Sequence, residues 1–315
     1  LNRARAHWGK AALGLLAATA LIGLVLASAN LRALLTSAIA QVTPLSVLAT
    51  FPGQAAAALI CAGALRALRP GVSYMACLGA RLLRDGGGNL PIFLPGFGEA
   101  LGARALVLAG GETRAAISAS AIDKVIETIA QVPFIMLAAW VLWHEWHVPL
   151  EVGGVPVAGL LGVVLALLLI AMMLWRKFGA RSELALRLSD EWSKFVVEAR
   201  QQRSGLPLSL GLHVLAWLSG GLQIWMAAAA LGYELNLFEA IAVESAAYAG
   251  RAVFFFIPAG LVTQEAGLLA AGLVFGLLPT QALALGLVLR LRDALMALAL
   301  VIWPLLEWRR RRAAH

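Results

Sequence analysis

Six windows of this chain, residues 11–28, 45–65, 121–143, 154–175, 207–231 and 281–304, are long, predominantly apolar runs. Each is close to the roughly twenty residues a helix needs to cross the hydrocarbon core of a bilayer, where the backbone must satisfy its own hydrogen bonds. The chain is therefore expected to be an all-α, polytopic helical membrane protein. Composition agrees, since 61% of the 315 residues are hydrophobic, only 13% are charged, and the mean hydropathy is +0.84. The first run is long enough to span and lacks a convincing cleavage site, so it reads as a transmembrane helix rather than a secretory leader. The formal net charge of +8 does not point to nucleic acid, because the basic residues gather at the ends of apolar runs.

That gathering gives a topology. Arg3, Arg5 and Lys10 precede the first run, Arg66 and Arg69 follow the second, seven basic residues lie within 176–203, and "WRRRRAAH" comes last. The connectors "HEWHVPLE" (144–151) and "GYELNLFE" (232–239) contain no Lys or Arg. By the positive-inside rule both termini are expected in the cytoplasm. Residues 181–203 place Leu184, Leu188, Trp192, Phe195 and Val196 at helical spacing with charges elsewhere. This pattern fits an amphipathic helix on the cytoplasmic face, and equally a solvated linker helix.

Two stretches, 72–111 and 238–278, do not read as simple spans. Each carries an arginine (Arg81, Arg251), an aromatic and apolar run, a proline (Pro95, Pro258), glycine (Gly96 and Gly98; Gly260) and a glutamate (Glu99, Glu265), then a small-residue helix and a full span. Proline and glycine break helices, and the freed backbone groups must be buried in protein or line a wet cavity. Each stretch is either a re-entrant pair of half-helices or two short crossings. Three full crossings per half then predict two membrane repeats, 1–150 and 151–315, inverted relative to each other as in secondary transporters. The helix restarting after each break would aim its positive dipole end at an anionic group.

The segments "NLPIFLPGFGEALGARAL", "ISASAIDKVIET", "HVLAWLSGGLQIWMAAAALG", "ESAAYAGRAVFFFIPAGLVTQEAGLLAAGLVFGL" and "LGLVLRLRD" resemble the flippase-like integral membrane family related to the transmembrane region of lysylphosphatidylglycerol synthase, and within it the subfamily associated with hopanoid biosynthesis. The family's first motif is matched by Asn89, Pro95, Gly96 or Gly98, and Glu99, and its second by Pro258, Gly260, Leu261, Gln264 and Glu265. Ala259 and Val262 replace two family glycines, and valine tolerates positive φ poorly. The closing motif appears as Arg290, Arg292 and Asp293. The resemblance implies movement of a lipid across the bacterial cytoplasmic (inner) membrane, or its extraction from it. The lysyl-transferring domain of the synthase is absent from this sequence, so aminoacyl transfer is not expected.

Ionisable groups at membrane depth cost at least about 2.5 kcal/mol each and are site candidates by default. The first half offers Arg81, Arg84, Asp85, Glu99, Arg104, Asp123, Lys124 and Glu127; the second offers Glu244, Arg251, Glu265, Arg290, Arg292 and Asp293. The substrate-binding set expected is Arg81, Arg84, Asn89, Glu99, Arg251, Gln264, Glu265, Arg290, Arg292 and Asp293. Arginine suits a phosphate because its planar fork donates twice. Glu99, Asp123, Glu127 and Glu265 are the candidates for proton coupling. Asp123 and Glu127, four apart on one face, repel unless basic neighbours neutralise them or one titrates.

Competing classes fare less well. A membrane enzyme would want a metal cluster or an activated nucleophile, but the five histidines are scattered and "HEWH" is not the HExxH zinc pattern. No catalytic residue, metal or cofactor is expected; His213 reads as a packed core histidine, Cys61 and Cys77 as small hydrophobes. A scaffold for lipid-synthesis enzymes has little need of polar breaks at membrane depth. Membrane lipids are the expected partners, and small-residue runs such as "GQAAAALICAGA" also permit close packing within a homo-oligomer.

Overall fold

The structure, a computed structural model, describes residues 28–89, 96–145, 202–253 and 263–298, together with 151–152, 155–156, 197, 200 and 300. The expected spans at 11–28 and 154–175, and nearly all of the 181–203 amphipathic segment, lie outside these residues. The described helices are α1 (Ala29–Gln41), α2 (Pro44–Leu48), α3 (Phe51–Leu68), α4 (Tyr74–Asn89), α5 (Phe97–Leu108), α6 (Thr113–Glu145), α7 (Leu206–Leu231), α8 (Leu237–Val253), α9 (Thr263–Val274) and α10 (Pro279–Ala297). One departure from the all-α expectation is a two-residue antiparallel pair, β1 (Glu151–Val152) with β2 (Val155–Pro156).

Local chemistry sets the ends. Thr43 and Ser46 exchange hydrogen bonds in a capping box that starts α2 at Pro44. Asn236 and Glu239 do the same for α8, Asn236 Oδ1 accepting from the Glu239 amide at 2.9 Å and Glu239 Oε2 from the Asn236 amide at 2.8 Å. Gly232 closes α7 in the left-handed region, φ +77°, so that its amide reaches back to the Ala228 and Ala229 carbonyls. Gly96 precedes α5 at φ +81°, a conformation that suits glycine at a turn.

Among the described residues, three stretches are long and apolar enough to cross a membrane: Pro44–Leu68, Thr113–Val141 and Leu206–Leu231. They correspond to the windows expected at 45–65, 121–143 and 207–231, with two differences. The first is divided into α2 and α3 at Ala49 and Thr50, and α6 starts well before residue 121. The window at 281–304 corresponds to α10, which begins at Pro279 and carries Arg290, Arg292 and Asp293 within its length. By contrast α5 and α9 have 12 residues each, about 18 Å of helix and well short of a bilayer core.

Large side chains point outward and small ones inward. Ile117, Val125, Ile129, Val132, Met136, Trp140 and Trp143 form an exposed stripe along α6, while Ala115, Ala116, Ala119, Ala130 and Ala138 are buried on the same helix. An apolar stripe of that length suits lipid, not water.

Helix neighbours follow a regular plan. α3 packs on α7, α4 on α5, α8 on α9, α3 on α4, α7 on α8, α5 on α6 and α9 on α10; α10 also reaches α4, and α6 reaches α8. Glycines permit these approaches. Gly53 of α3 faces Ser219 and Gln223, whereas Ala67 faces Gly205, so α3 and α7 run antiparallel. Gly98 is not at the break as expected but inside α5, where an added Cβ would lie 2.3 Å from the Arg84 carbonyl oxygen. In the second hairpin, Cβ atoms at Gly250 and Gly267 would each lie 2.2 Å from a backbone oxygen of the opposing helix.

Replacing Gly267 with leucine is therefore expected to force α8 and α9 apart, destabilising the protein by about 1–3 kcal/mol. Gly79→Ala meets nothing within 4 Å and is expected to be neutral or stabilising by roughly 0.5–1 kcal/mol. Unfolding of the purified variants in detergent checks both signs.

Candidate functional site

A buried ion network joins α4, α6 and α7. Arg81 and Asp85 are four apart on α4, and Arg81 Nε donates to Asp85 Oδ2 at 2.8 Å while Nη2 donates to Glu127 Oε1 at 2.7 Å. Arg84, one turn along, spreads its fork over both α6 carboxylates, with Nη1 to Asp123 Oδ2 at 2.5 Å and Nη2 to Glu127 Oε2 at 2.6 Å. Lys124 Nζ adds a contact to Glu127 Oε2 at 3.1 Å. His213 Nε2 lies 2.9 Å from Asp123 Oδ1, and Cys61 Sγ lies 3.7 Å from His213 Nδ1. Trp217 Nε1 donates to the Glu127 carbonyl at 3.3 Å.

This arrangement answers the question posed by Asp123 and Glu127. Arg81, Arg84 and Lys124 neutralise Asp85, Asp123 and Glu127, three charges against three. Such pairing is obligatory, because an unpaired charge at this burial costs several kcal/mol. Arg81 Nη1 remains buried without a partner. The thiol, imidazole and carboxylate of Cys61, His213 and Asp123 stand in a row and are buried, with exposures of 2%, 1% and 0%.

The second half carries its own cluster. Arg292 donates from Nε and Nη2 to Asp293 Oδ1 at 3.1 and 2.7 Å, and from Nη1 to Gln223 Oε1 of α7. Arg290 Nε meets Glu265 Oε1 at 2.6 Å and Nη2 meets Oε2 at 3.2 Å, tying α10 to α9. Glu244 of α8 is 2% exposed, and its Oε2 has no hydrogen-bond partner among the described residues. Tyr248, one turn further, sets its ring edge-on to Trp217 at 4.6 Å.

The residues selected from sequence are thus distributed unevenly. Arg81 and Arg84 are committed to carboxylates, as are Arg290 and Arg292. Arg251, Glu99 and Asn89 are partly buried, and their side chains make no hydrogen bond or ion pair with another described residue. Gln264, second residue of α9, is 4% exposed with Oε1 unpartnered. Pro95, Pro258 and Gly260 lie outside the described residues. Lys124 and Glu244 were among the ionisable candidates but not in the substrate-binding or proton-coupling sets, His213 was read as a packed core residue, and Gln223 was not selected. For Glu244 the available signal was "LSGGLQ" on α7, whose Gly220 leaves the space its carboxylate occupies: a Cβ there would lie 2.9 Å from Glu244 Oε1.

Apolar outer faces, three helical stretches long and apolar enough to cross a membrane among the described residues, and buried charge pairs define a helical membrane protein. More specifically, the family model described as the lysylphosphatidylglycerol synthase transmembrane region matches residues 11–301. The chain belongs to that family, and its function is membrane-lipid related. Comparison with curated proteins and with solved structures gives no match.

Removing one member of the network isolates the rest. Arg84→Met is expected to destabilise the protein by about 3–5 kcal/mol, by leaving Asp123 and Glu127 short of their counter-charge. Adding Glu127→Gln to that variant is expected to recover part of the loss. Thermal unfolding of the two variants in detergent measures the difference.

Proposed function

We propose that the chain is a lipid translocator of the bacterial cytoplasmic membrane, holding a polar lipid headgroup between its two broken hairpins while the acyl tails remain in the bilayer. The observation that carries this reading is the position of the unmet polar groups. Asn89 and Glu99 stand near the facing ends of α4 and α5, and Arg251 and Gln264 near those of α8 and α9; Gln264 Oε1 is buried without a hydrogen-bond partner among the described residues, and the other three side chains are half-buried and make no hydrogen bond or ion pair with a described residue. Polar groups are retained at such depth at a cost, so they point to a polar ligand. The family's lipid association supports the same direction.

The two halves, 1–150 and 151–315, act in this reading as inverted repeats with both termini cytoplasmic. Support comes from the helix plan: the neighbours α3–α4, α4–α5, α5–α6 and α4–α10 map onto α7–α8, α8–α9, α9–α10 and α8–α6. The corresponding helices α3 and α7 pack antiparallel, as an inverted pair must.

The arginine that recognises the headgroup is Arg251, because Arg81, Arg84, Arg290 and Arg292 already face carboxylates. A phosphate-bearing lipid suits it better than an uncharged hopanoid. Glu99, opposite in charge, suits the cationic part of a zwitterionic headgroup.

Proteoliposomes carrying fluorescent phospholipid test the assignment. Wild-type protein is expected to expose inner-leaflet label to an external quencher, and Arg251→Gln, folded and inserted to the same extent, to slow this by an order of magnitude or more, at least about 1.4 kcal/mol. Wild-type rates in Arg251→Gln would sink the headgroup assignment.

A further inference from the structure

Charge pairing in the second cluster leaves one carboxylate over. Arg292 places Nε and Nη2 on Asp293 and Nη1 on Gln223, and Glu265 is occupied by Arg290. Among the described residues Glu244 makes no salt bridge, and its Oε2 has no hydrogen-bond partner although the residue is 2% exposed. In the first network each carboxylate meets a cation within hydrogen-bond reach; here Glu265 and Asp293 are paired in that way with Arg290 and Arg292, and Glu244 is the carboxylate without a salt bridge.

The surroundings of Glu244 are built for a carboxyl group that is neutral. Its side chain fits the notch over Gly220, and Gly221 admits Ile241 beside it. The charged groups facing it are Arg292 and Asp293 from α10 and Arg251 from its own helix. Arg251 lies seven residues along the same face of α8, roughly 10 Å away along the axis. Tyr248 stands between them, its ring turned to Trp217. Among the described residues, α6, α7 and α9 form no salt bridge with Glu244. A carboxyl group buried to this degree without a salt bridge costs less to bury neutral than ionised.

We propose that Glu244 is a proton-binding site coupled to lipid movement: it carries a proton in the arrangement described here and releases it to water when α8 shifts against α7 and α10. This rests on the translocator reading above. The step is a simple exchange, in which the carboxylic acid O–H bond breaks, the proton passes to water and the carboxylate takes Arg251 or Arg292 as its partner; the reverse step restores it. The ionised and neutral forms therefore favour different packings of one helix, which is what coupling requires. Glu244 was absent from the coupling residues expected from sequence. Two of those, Asp123 and Glu127, are held by fixed cations.

Two measurements on the full chain separate this proposal from the function it rests on. In detergent, infrared difference spectroscopy across a pH titration is expected to show a protonated-carboxyl stretch in wild type that is lost in Glu244→Gln. The neutral isostere mimics the protonated acid and should fold. Absence of that band from wild type overturns the proposal whether or not lipid moves. In proteoliposomes, an imposed pH gradient is expected to change wild-type lipid translocation several-fold, and an entrapped pH dye to report accompanying proton flux. Glu244→Gln should translocate lipid without either response, and Glu244→Asp should retain both. A full gradient response in Glu244→Gln, or a response to a sodium gradient in place of a pH gradient, overturns it. A Glu244 band without lipid movement in wild type under any gradient removes the translocator reading and the coupling, while leaving the protonated carboxyl established.

Discussion

A guanidinium keeps its proton in any protein environment, so burying Arg81 and Arg84 commits everything around them. Carboxylates must come within hydrogen-bond reach, and they must come from another helix, because α4 supplies only Asp85. Asp123 and Glu127 meet the need by standing four apart on one face of α6. That requirement fixes the rotation of α6 about its axis and its height against α4. His213 carries the constraint into α7, since it reaches Asp123 on the side that Arg84 leaves free. The two halves of the chain are thereby joined by a polar contact as well as by packing.

The charges can meet only because the backbones approach closely. Helices lined with leucine settle 8–10 Å apart, and short side chains bring them nearer. Here glycine occupies the closest points: Gly87 against Gly98, Gly102 against the Ala80 carbonyl, Gly205 against Ala67 and Gly250 against Thr263. Bulk is transferred to the outer surface, where Trp143 is 85% exposed and Met136 66%. The same distribution that makes the exterior compatible with lipid makes the interior narrow enough for ion pairs, so the sequence's many small residues serve both ends.

Much of this was legible in the linear sequence because it is local. The apolar runs that became α3, α6 and α7 depend only on neighbouring residues, and so does the face shared by Asp123 and Glu127. The start of α10 at Pro279 follows the preference of proline for a first turn, although hydropathy alone placed it two residues later. Long-range choices were not legible. That Arg81 reaches Glu127, 46 positions away, depends on a helix rotation set by packing. Gly98 was read as a turn residue because of its company with Pro95 and Gly96, yet its work is steric, against the Arg84 carbonyl. Glu244 carried no mark in its own neighbourhood; its isolation arises because Arg292 turns to the adjacent Asp293 and to Gln223 on another helix.

The two broken hairpins consequently differ in how they are held. α4, in the first, is pinned by a charge-balanced network in which nearly every donor and acceptor is used. α8, in the second, is held by apolar packing of Ala240, Val243, Ala246 and Ala247, by glycine contacts and by an aromatic edge, while the ion pairs nearby run between α9 and α10 or within α10 itself. Separating α4 from α6 would strand several charges together in a medium of low dielectric, which is prohibitive. Displacing α8 breaks no ion pair among the described residues. If one hairpin moves while the other serves as a fixed wall, the polar interactions assign the movement to the second.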